Sequence, residues 1–318
     1  MEEYDDQIAR TSSLESDARQ GEAFEPEFDS AFLFKNPSRL DEHLLSDYAP
    51  KIASPSETFE RVEFMGLNFH KAGAKPLLAA LLETVGSEQF KYVVTPNVDH
   101  VVTVARSAAG SDIRLAYDDA DFMVCDSRIL SLMSRTSSID LEPVPGSDIT
   151  RELLEQLPHG ETISVIGGKK DLHQSLLALY PHFNWAFMTP PMGVRHSARH
   201  QDAICDFIAS TRSSVTFLAI GAPQSEIVCR KLKLRGDGRG LGLCIGASLQ
   251  FLTGEKKRAP AWVQKAHGEW LFRLICEPSR LAHRYLVKGP QIIVEWIRWR
   301  KTQQALVIAD PARNSACG

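Results

Sequence analysis

No run of about 18 apolar residues occurs, so no membrane-spanning helix is expected. The first residues are acidic and hold no apolar core, which argues against a signal peptide and sets the expectation of a cytoplasmic protein. The six cysteines (Cys125, Cys205, Cys229, Cys244, Cys276, Cys317) form no Cys-x-x-Cys pair and no zinc-like spacing with His, so they read as reduced, mostly buried thiols. No Gly-x-Gly-x-x-Gly comes after a strand pattern; the glycines of 236–242 are wrongly spaced and precede their strand. Walker-type and Gly-x-Ser-x-Gly motifs are also missing. Dinucleotide-fingerprint, P-loop and hydrolase-elbow chemistries drop out together.

The composition that remains is ordinary for a globular chain, 43% apolar and 24% charged, enough for one large domain or two small ones. The net charge of −4 conceals an asymmetry. Residues 1–60 carry 15 acidic and 5 basic side chains, residues 61–254 carry 20 and 19, and residues 255–301 carry 4 and 11. A neutral body thus ends in a basic section, which calls for an anionic partner: nucleic acid, a membrane surface or a phosphorylated ligand. The chain divides into four segments: an acidic arm over 1–58 expected to be disordered, a catalytic body over 59–254, a basic amphipathic helical appendage over 255–305, and a tail over 306–318.

From residue 61 onward, short apolar runs alternate with helical periodicity. Strands are expected over 62–67, 91–95, 120–126, 162–166, 185–188, 214–220 and 241–245. Helices are expected over 75–85, 98–107, 113–117, 152–156, 169–180, 198–210, 225–234 and from 247. That alternation predicts an α/β fold with a parallel, doubly wound sheet. Nearly every strand runs straight into small or polar residues: Thr95-Pro96-Asn97, Asp126-Ser127, Gly167-Gly168, Gly221-Ala222-Pro223 and Gly246-Ala247-Ser248. Small residues admit a ligand close to backbone, and the N-terminus of the next helix offers free N–H groups to phosphate. Five such turns on one sheet edge suggest a nucleotide-sized site.

Asp126 stands out among them. It comes directly after the apolar run 122–125, at the strand end where ligands of open α/β sheets bind. A carboxylate there can take a proton from a bound hydroxyl. The competing reading is a cap for the helix starting near Ile129. Asp119-Ala120-Asp121 has the Asp-x-Asp form of metal-dependent sugar transferases but falls at the wrong end of its strand. His70 and His100 have no companion at metal-ligand spacing and read as structural.

In the basic section Trp262, Ala266, Trp270 and Leu274 recur every four residues, and 292–301 mixes Trp296 and Trp299 with Arg298, Arg300 and Lys301. This is the composition of an interfacial helix, and equally of a helix whose apolar face covers the core.

The ordered set of motifs resembles the WecG/TagA/CpsF glycosyltransferases. Thr95-Pro96-Asn97-Val98-Asp99-His100 is similar to their signature. Ala120-Asp121 through Asp126, Pro145-Gly146-Ser147-Asp148, Ile166-Gly167-Gly168-Lys169 and Gly221-Ala222-Pro223-Gln224-Ser225-Glu226 agree in order. Gly254 to Trp262, Glu269 to Leu274 and Glu277 to Leu281 complete a match spanning about 62–286. The resemblance implies a Rossmann-like, mostly parallel sheet with helices on both faces and a C-terminal helical appendage. It implies an inverting, metal-independent transferase that uses no cofactor. The sugar would move from a UDP-sugar donor to a polyprenyl-pyrophosphate-linked saccharide, at the inner face of the cell membrane. Carried over by position, Asp126 matches the base, with Thr95 and Asn97 beside it. Gly167, Gly168, Gly221, Ala222, Pro223, Gln224, Glu226 and Gly246 fall on the donor side. Arg273, Arg280 and Arg284 fall where the appendage meets the acceptor pyrophosphate.

Against the family pattern, Glu142-Pro143-Val144-Pro145 lacks an Arg, Pro-Lys-Gln-Glu becomes Pro223-Gln224-Ser225-Glu226, and Asp-Gly becomes Asp126-Ser127. These departures lean toward an exopolysaccharide enzyme moving glucose instead of N-acetylmannosamine. A non-catalytic nucleotide- or lipid-phosphate-binding protein that recruits partners to the membrane is the rival reading. Nucleic acid is not an expected partner, since no reading helix or stacking platform is recognisable, and homo-oligomerisation is left open.

Overall fold

The computed structural model describes residues 58–256, 259, 260, 263, 268–276 and 290–309, with backbone alone at 269, 270, 273, 276 and 307–309. The acidic arm through residue 57 and most of 257–289 lie outside them.

A hairpin comes first. β1 (Arg61–Phe64) and β2 (Leu67–His70) pair antiparallel through Met65-Gly66. Both turn residues have positive φ, 54° and 81°, as a two-residue hairpin turn requires. The single strand expected over 62–67 is therefore two short ones, because the left-handed turn sits inside the apolar run.

The body alternates as expected: α1 (Ala74–Thr84), β3 (Lys91–Val94), α2 (Val98–Ala105), α3 (Asp112–Asp118), β4 (Phe122–Met123), α4 (Arg128–Arg135), α5 (Gly146–Gln156), β5 (Thr162–Ile166) and α6 (Lys170–Leu179). Next come β6 (Asn184–Met188), α7 (Ala198–Thr211), β7 (Val215–Leu218), α8 (Gln224–Arg235), β8 (Leu241–Cys244) and α9 (Ser248–Leu252). Strands β3 to β8 form one parallel sheet in the order β4-β3-β8-β7-β5-β6. Side chains alternate between two cores, as the two-residue period of a strand demands. Tyr92 and Val94 face one with α2, α7 and α8, while Val93, Val165, Phe217 and Leu243 face the other with α1, α5 and α6. The result is the three-layer Rossmann-like α/β sandwich.

β4 is shorter than the run 120–126, yet the chain beyond it stays tied to β3. Val124 N donates to Val94 O and Asp126 N to Pro96 O, each at 3.1 Å. On its outer side, Met123 N donates to His70 Nδ1 at 3.0 Å. His70 thus covers an edge that would otherwise be unpaired.

Two further helices are described, α10 (Glu269–Cys276) and α11 (Gln291–Ala309). Ile292, Trp296 and Trp299 of α11 pack on the core, and the Trp299 ring meets Phe64 edge-on at 5.1 Å. Trp296 Nε1 donates to Ser137 Oγ at 3.1 Å and Trp299 Nε1 to Glu63 Oε1 at 2.9 Å. Buried Glu295 receives Arg106 Nε at 3.3 Å and Arg298 Nη1 at 3.0 Å. Of the two readings open for 292–301, these tryptophans take the core-covering one. Ile293, Val294 and Ile297 remain exposed on the other face.

His70 is buried, and desolvation together with nearby Arg61 holds its imidazole down, to about 4. Its folded value lies below its ordinary 6.5, so the unfolded chain takes up the proton first. Relative to His70→Asn, the wild type should lose about 3 kcal/mol as pH falls from 6.5 to 4, at ~1.4 kcal/mol per unit. Denaturant melts across that range check this; parallel curves for the two proteins would refute it.

Candidate active site

Because all six strands of the sheet run parallel, the turns that leave their carboxyl ends collect on a single rim. Across it lie Asp126 beyond β4, Thr95 and Asn97 beyond β3, Gly246 beyond β8, Gly221 beyond β7, and Gly167-Gly168 beyond β5. The five turns singled out in the sequence are thus neighbours in space, spread over four strand spacings, or roughly 19 Å. Gly221 and Gly246 take φ of +82° and +54°, with open space where a side chain would stand. Backbone there is bare to the crevice. The Ala222–Pro223 peptide is cis and leads into α8.

Asp126 does not cap α4. Ser127 does, accepting from Leu130 N at 3.3 Å. The Asp126 carboxylate instead accepts, through Oδ1 at 2.7 Å, from the N–H of Gly146, the first residue of α5. A helix N-terminus carries unsatisfied N–H donors, and this contact satisfies one of them. The local reading failed because α5 begins 20 residues downstream and reaches the same rim.

Gly146 is also where three strand ends close up. A Cβ on it would stand 3.3 Å from Thr95 Oγ1 and 3.6 Å from Ser248 Oγ. Thr95 Oγ1 donates to Cys244 O at 3.3 Å, and Ser248 Oγ to Ile245 O at 2.7 Å. Asn97 Oδ1 caps α2 by accepting from Asp99 N at 3.0 Å. Gly146 and Ser248 carried no assigned role in the sequence reading, although a Gly opening a helix after Pro145 hints at close packing.

On the donor side, Gln224 Nε2 donates to Ile220 O and Ser225 Oγ to Gly221 O at 3.1 Å. Both side chains fold back on the turn. Glu226 is 1% exposed and faces the Tyr117 hydroxyl, so it lies beneath the crevice surface, a different place from the one expected for a donor contact. Burial pushes its carboxyl up to about 7. Arg280 and Arg284 lie outside the described residues, and only the backbone of Arg273 is described, within α10.

At the opposite rim, a cavity of about 340 Å³ is lined by Arg61, Asp118, Asp119, Asp121, Arg230 and Lys233. Two of its carboxylates are engaged: Arg230 Nε lies 2.6 Å from Asp119, and Lys233 Nζ 2.8 Å from Asp121. The Asp-x-Asp pair therefore anchors α8. Among the described residues no three His, Cys, Asp or Glu side chains converge as a metal would need.

A three-layer parallel sheet with a carboxylate, a threonine and a row of bare glycine turns on its carboxyl rim is a frame that suits group transfer. The sequence model of the WecG/TagA/CpsF family of glycosyl transferases matches residues 62–306. The chain belongs to that glycosyltransferase family.

Ser127→Ala should cost about 1 kcal/mol through the lost α4 cap. Asp126→Asn keeps an oxygen for the Gly146 N–H and should cost less. Urea melts rank the two, and the reverse order would return the capping role to Asp126.

Proposed function

We propose that the protein is an inverting glycosyltransferase. It would move a hexose from a UDP-sugar to a polyprenyl-pyrophosphate-linked saccharide in cell-surface polysaccharide synthesis. The observation that carries this reading is the Asp126 carboxylate, held by the Gly146 N–H beside Thr95 on the sheet's carboxyl rim. A sugar hydroxyl is a poor nucleophile at neutral pH. Asp126 would accept its proton as the oxygen bonds to the anomeric carbon and the bond to the diphosphate oxygen breaks on the opposite face. The electron pair leaves with the nucleoside diphosphate, whose growing charge meets backbone N–H groups at the Gly221 and Gly246 turns. Thr95 and Asn97 border the acceptor hydroxyl. Arg273, Arg280 and Arg284 would supply positive charge to the lipid pyrophosphate.

No described helix is long and apolar enough to cross a membrane. Access to a lipid-linked acceptor then calls for surface association at the inner membrane face. The exposed Ile293, Val294 and Ile297 of α11, close to Arg300 and Lys301, supply an apolar face with a cationic border. The departures at Glu142–Pro145 and Gln224-Ser225 favour glucose over N-acetylmannosamine as the sugar moved.

Asp126→Asn should fold normally and lose on the order of 10²- to 10⁴-fold in turnover, the usual span for a general base. A panel of UDP-sugars with a synthetic lipid-pyrophosphate acceptor, read by release of UDP, supplies the measurement. Turnover by that variant at the wild-type rate would remove Asp126 from the mechanism. For the surface, Ile293→Asp combined with Ile297→Asp should abolish sedimentation with anionic vesicles while leaving the melting temperature unchanged. Undiminished sedimentation would move the membrane contact elsewhere.

A further inference from the structure

Beneath the crevice lies a buried polar cluster that the proposed chemistry does not use. Glu226 stands in the first turn of α8 and is 1% exposed, as is Tyr117 at the end of α3. The carboxyl faces the phenol, yet neither Glu226 Oε2 nor the Tyr117 hydroxyl closes a well-formed hydrogen bond to any other group. From α2 the His100 ring approaches the Tyr117 ring, with centroids 6.1 Å apart, and the charge of Asp99 bears on the same phenol. From β8 the buried Cys244 thiol lies within electrostatic reach of the carboxyl. Arg230, one turn along α8, is held by Asp119 at 2.6 Å and Asp112 at 3.8 Å.

The groups facing Glu226 are thus a phenol, a thiol and, behind the phenol, an imidazole and a second carboxylate. The nearest guanidinium on its own helix is engaged elsewhere. An ionised carboxylate placed there is desolvated, which costs several kcal/mol, and hydrogen bonding from backbone and from the Tyr117 phenol offsets only part of that. A neutral acid carries one O–H donor and one acceptor, and a phenol carries the same pair. The phenol O–H can donate to either form of the acid, but only the protonated form spares the cost of an anion in that buried place.

We infer that Glu226 is a positioning residue that works as a neutral acid. Facing Tyr117, it ties the first turn of α8 to the end of α3, and the His100 ring brings the first turn of α2 beside the same phenol under the crevice. Those turns lead directly from Gly221-Ala222-Pro223 and from Thr95-Pro96-Asn97. Ionising Glu226 puts a second negative charge near Asp99 and loosens both edges of the proposed donor and acceptor sites. Melting experiments judge this cluster whatever the protein transfers; only the turnover measurement rests on the glycosyltransferase reading.

Linkage fixes the sign. The folded carboxyl titrates near 7 against an ordinary 4.5, so the folded state keeps a proton that the unfolded chain has lost. This contribution is full below 4.5 and disappears as pH rises to 7. Glu226→Gln keeps a neutral, hydrogen-bonding side chain of the same size. Between pH 4.5 and 7 the unfolding constant of the wild type should rise relative to that of Glu226→Gln by on the order of 10²-fold or more, up to tenfold per pH unit. Tyr117→Phe, which keeps the volume, should move the wild-type transition to higher pH, since the phenol no longer supports the anion. In transfer assays the wild-type KM for donor should rise severalfold from pH 6 to 8, while that of Glu226→Gln stays flat.

Melting curves that track pH identically in wild type and Glu226→Gln overturn the inference. So does a folded Glu226→Gln that has lost transfer at every pH, since the carboxyl would then take part in the chemistry itself. Should Glu226→Gln fail to fold, the shift in Tyr117→Phe decides alone. Should the wild type transfer no sugar from any donor, the function fails and the melts still judge the cluster.

Discussion

The structure depends on strict parallel pairing of six strands. A parallel ladder requires each chain return to cross back over a face, so every strand end and the helix start after it fall on one rim. That constraint turns five separate loops into neighbours. It also explains why Asp119 and Asp121 are useless to a ligand at the same crevice. They precede their strand, reach the other rim, and serve as counter-ions for α8.

The rim is then tightened by close approach. Gly146 lies between Thr95 and Ser248 while its N–H holds Asp126, so three strand ends and one helix meet around a single residue without a side chain. A carboxylate held this way has its orientation set by backbone rather than by a flexible partner. Such preorganisation is what a base needs if it is to act without first rearranging.

Most of this frame was legible in the sequence because its signals are periodic. Alternating apolar runs identified the strands of the sheet, and small residues after each run marked the turns that share its carboxyl rim. The family signature then gave the arrangement a chemistry. Three features escaped, each for a physical reason. The Met65-Gly66 turn hides inside an apolar run, since only φ separates a hairpin from one longer strand. The partner of Asp126 lies 20 residues away, and a local rule favoured the adjacent helix that Ser127 in fact caps. Trp296 and Trp299 are rich in both apolar area and polar tips, which suits a membrane interface as well as a core edge. Their packing on the core and the bonds to Ser137 and Glu63 show which one they occupy.

The interior holds two titratable groups with opposed effects, one at the β4 edge of the sheet and one under the crevice. His70, beside β4 and bonded to Met123 N, is kept neutral down to about 4, and Glu226 is kept neutral up to about 7. Between pH 4.5 and 6.5 the unfolded chain has released the Glu226 proton but still holds one on His70. The folded chain does the opposite. The difference in bound protons between the two states is therefore close to zero over that window, and their contributions to the slope of stability with pH cancel. Below it the histidine alone governs, and above it the glutamate does. A flat acid-to-neutral profile in the intact protein would thus be the sum of two steep and opposite dependences. Neither becomes visible until one of the two side chains is made untitratable.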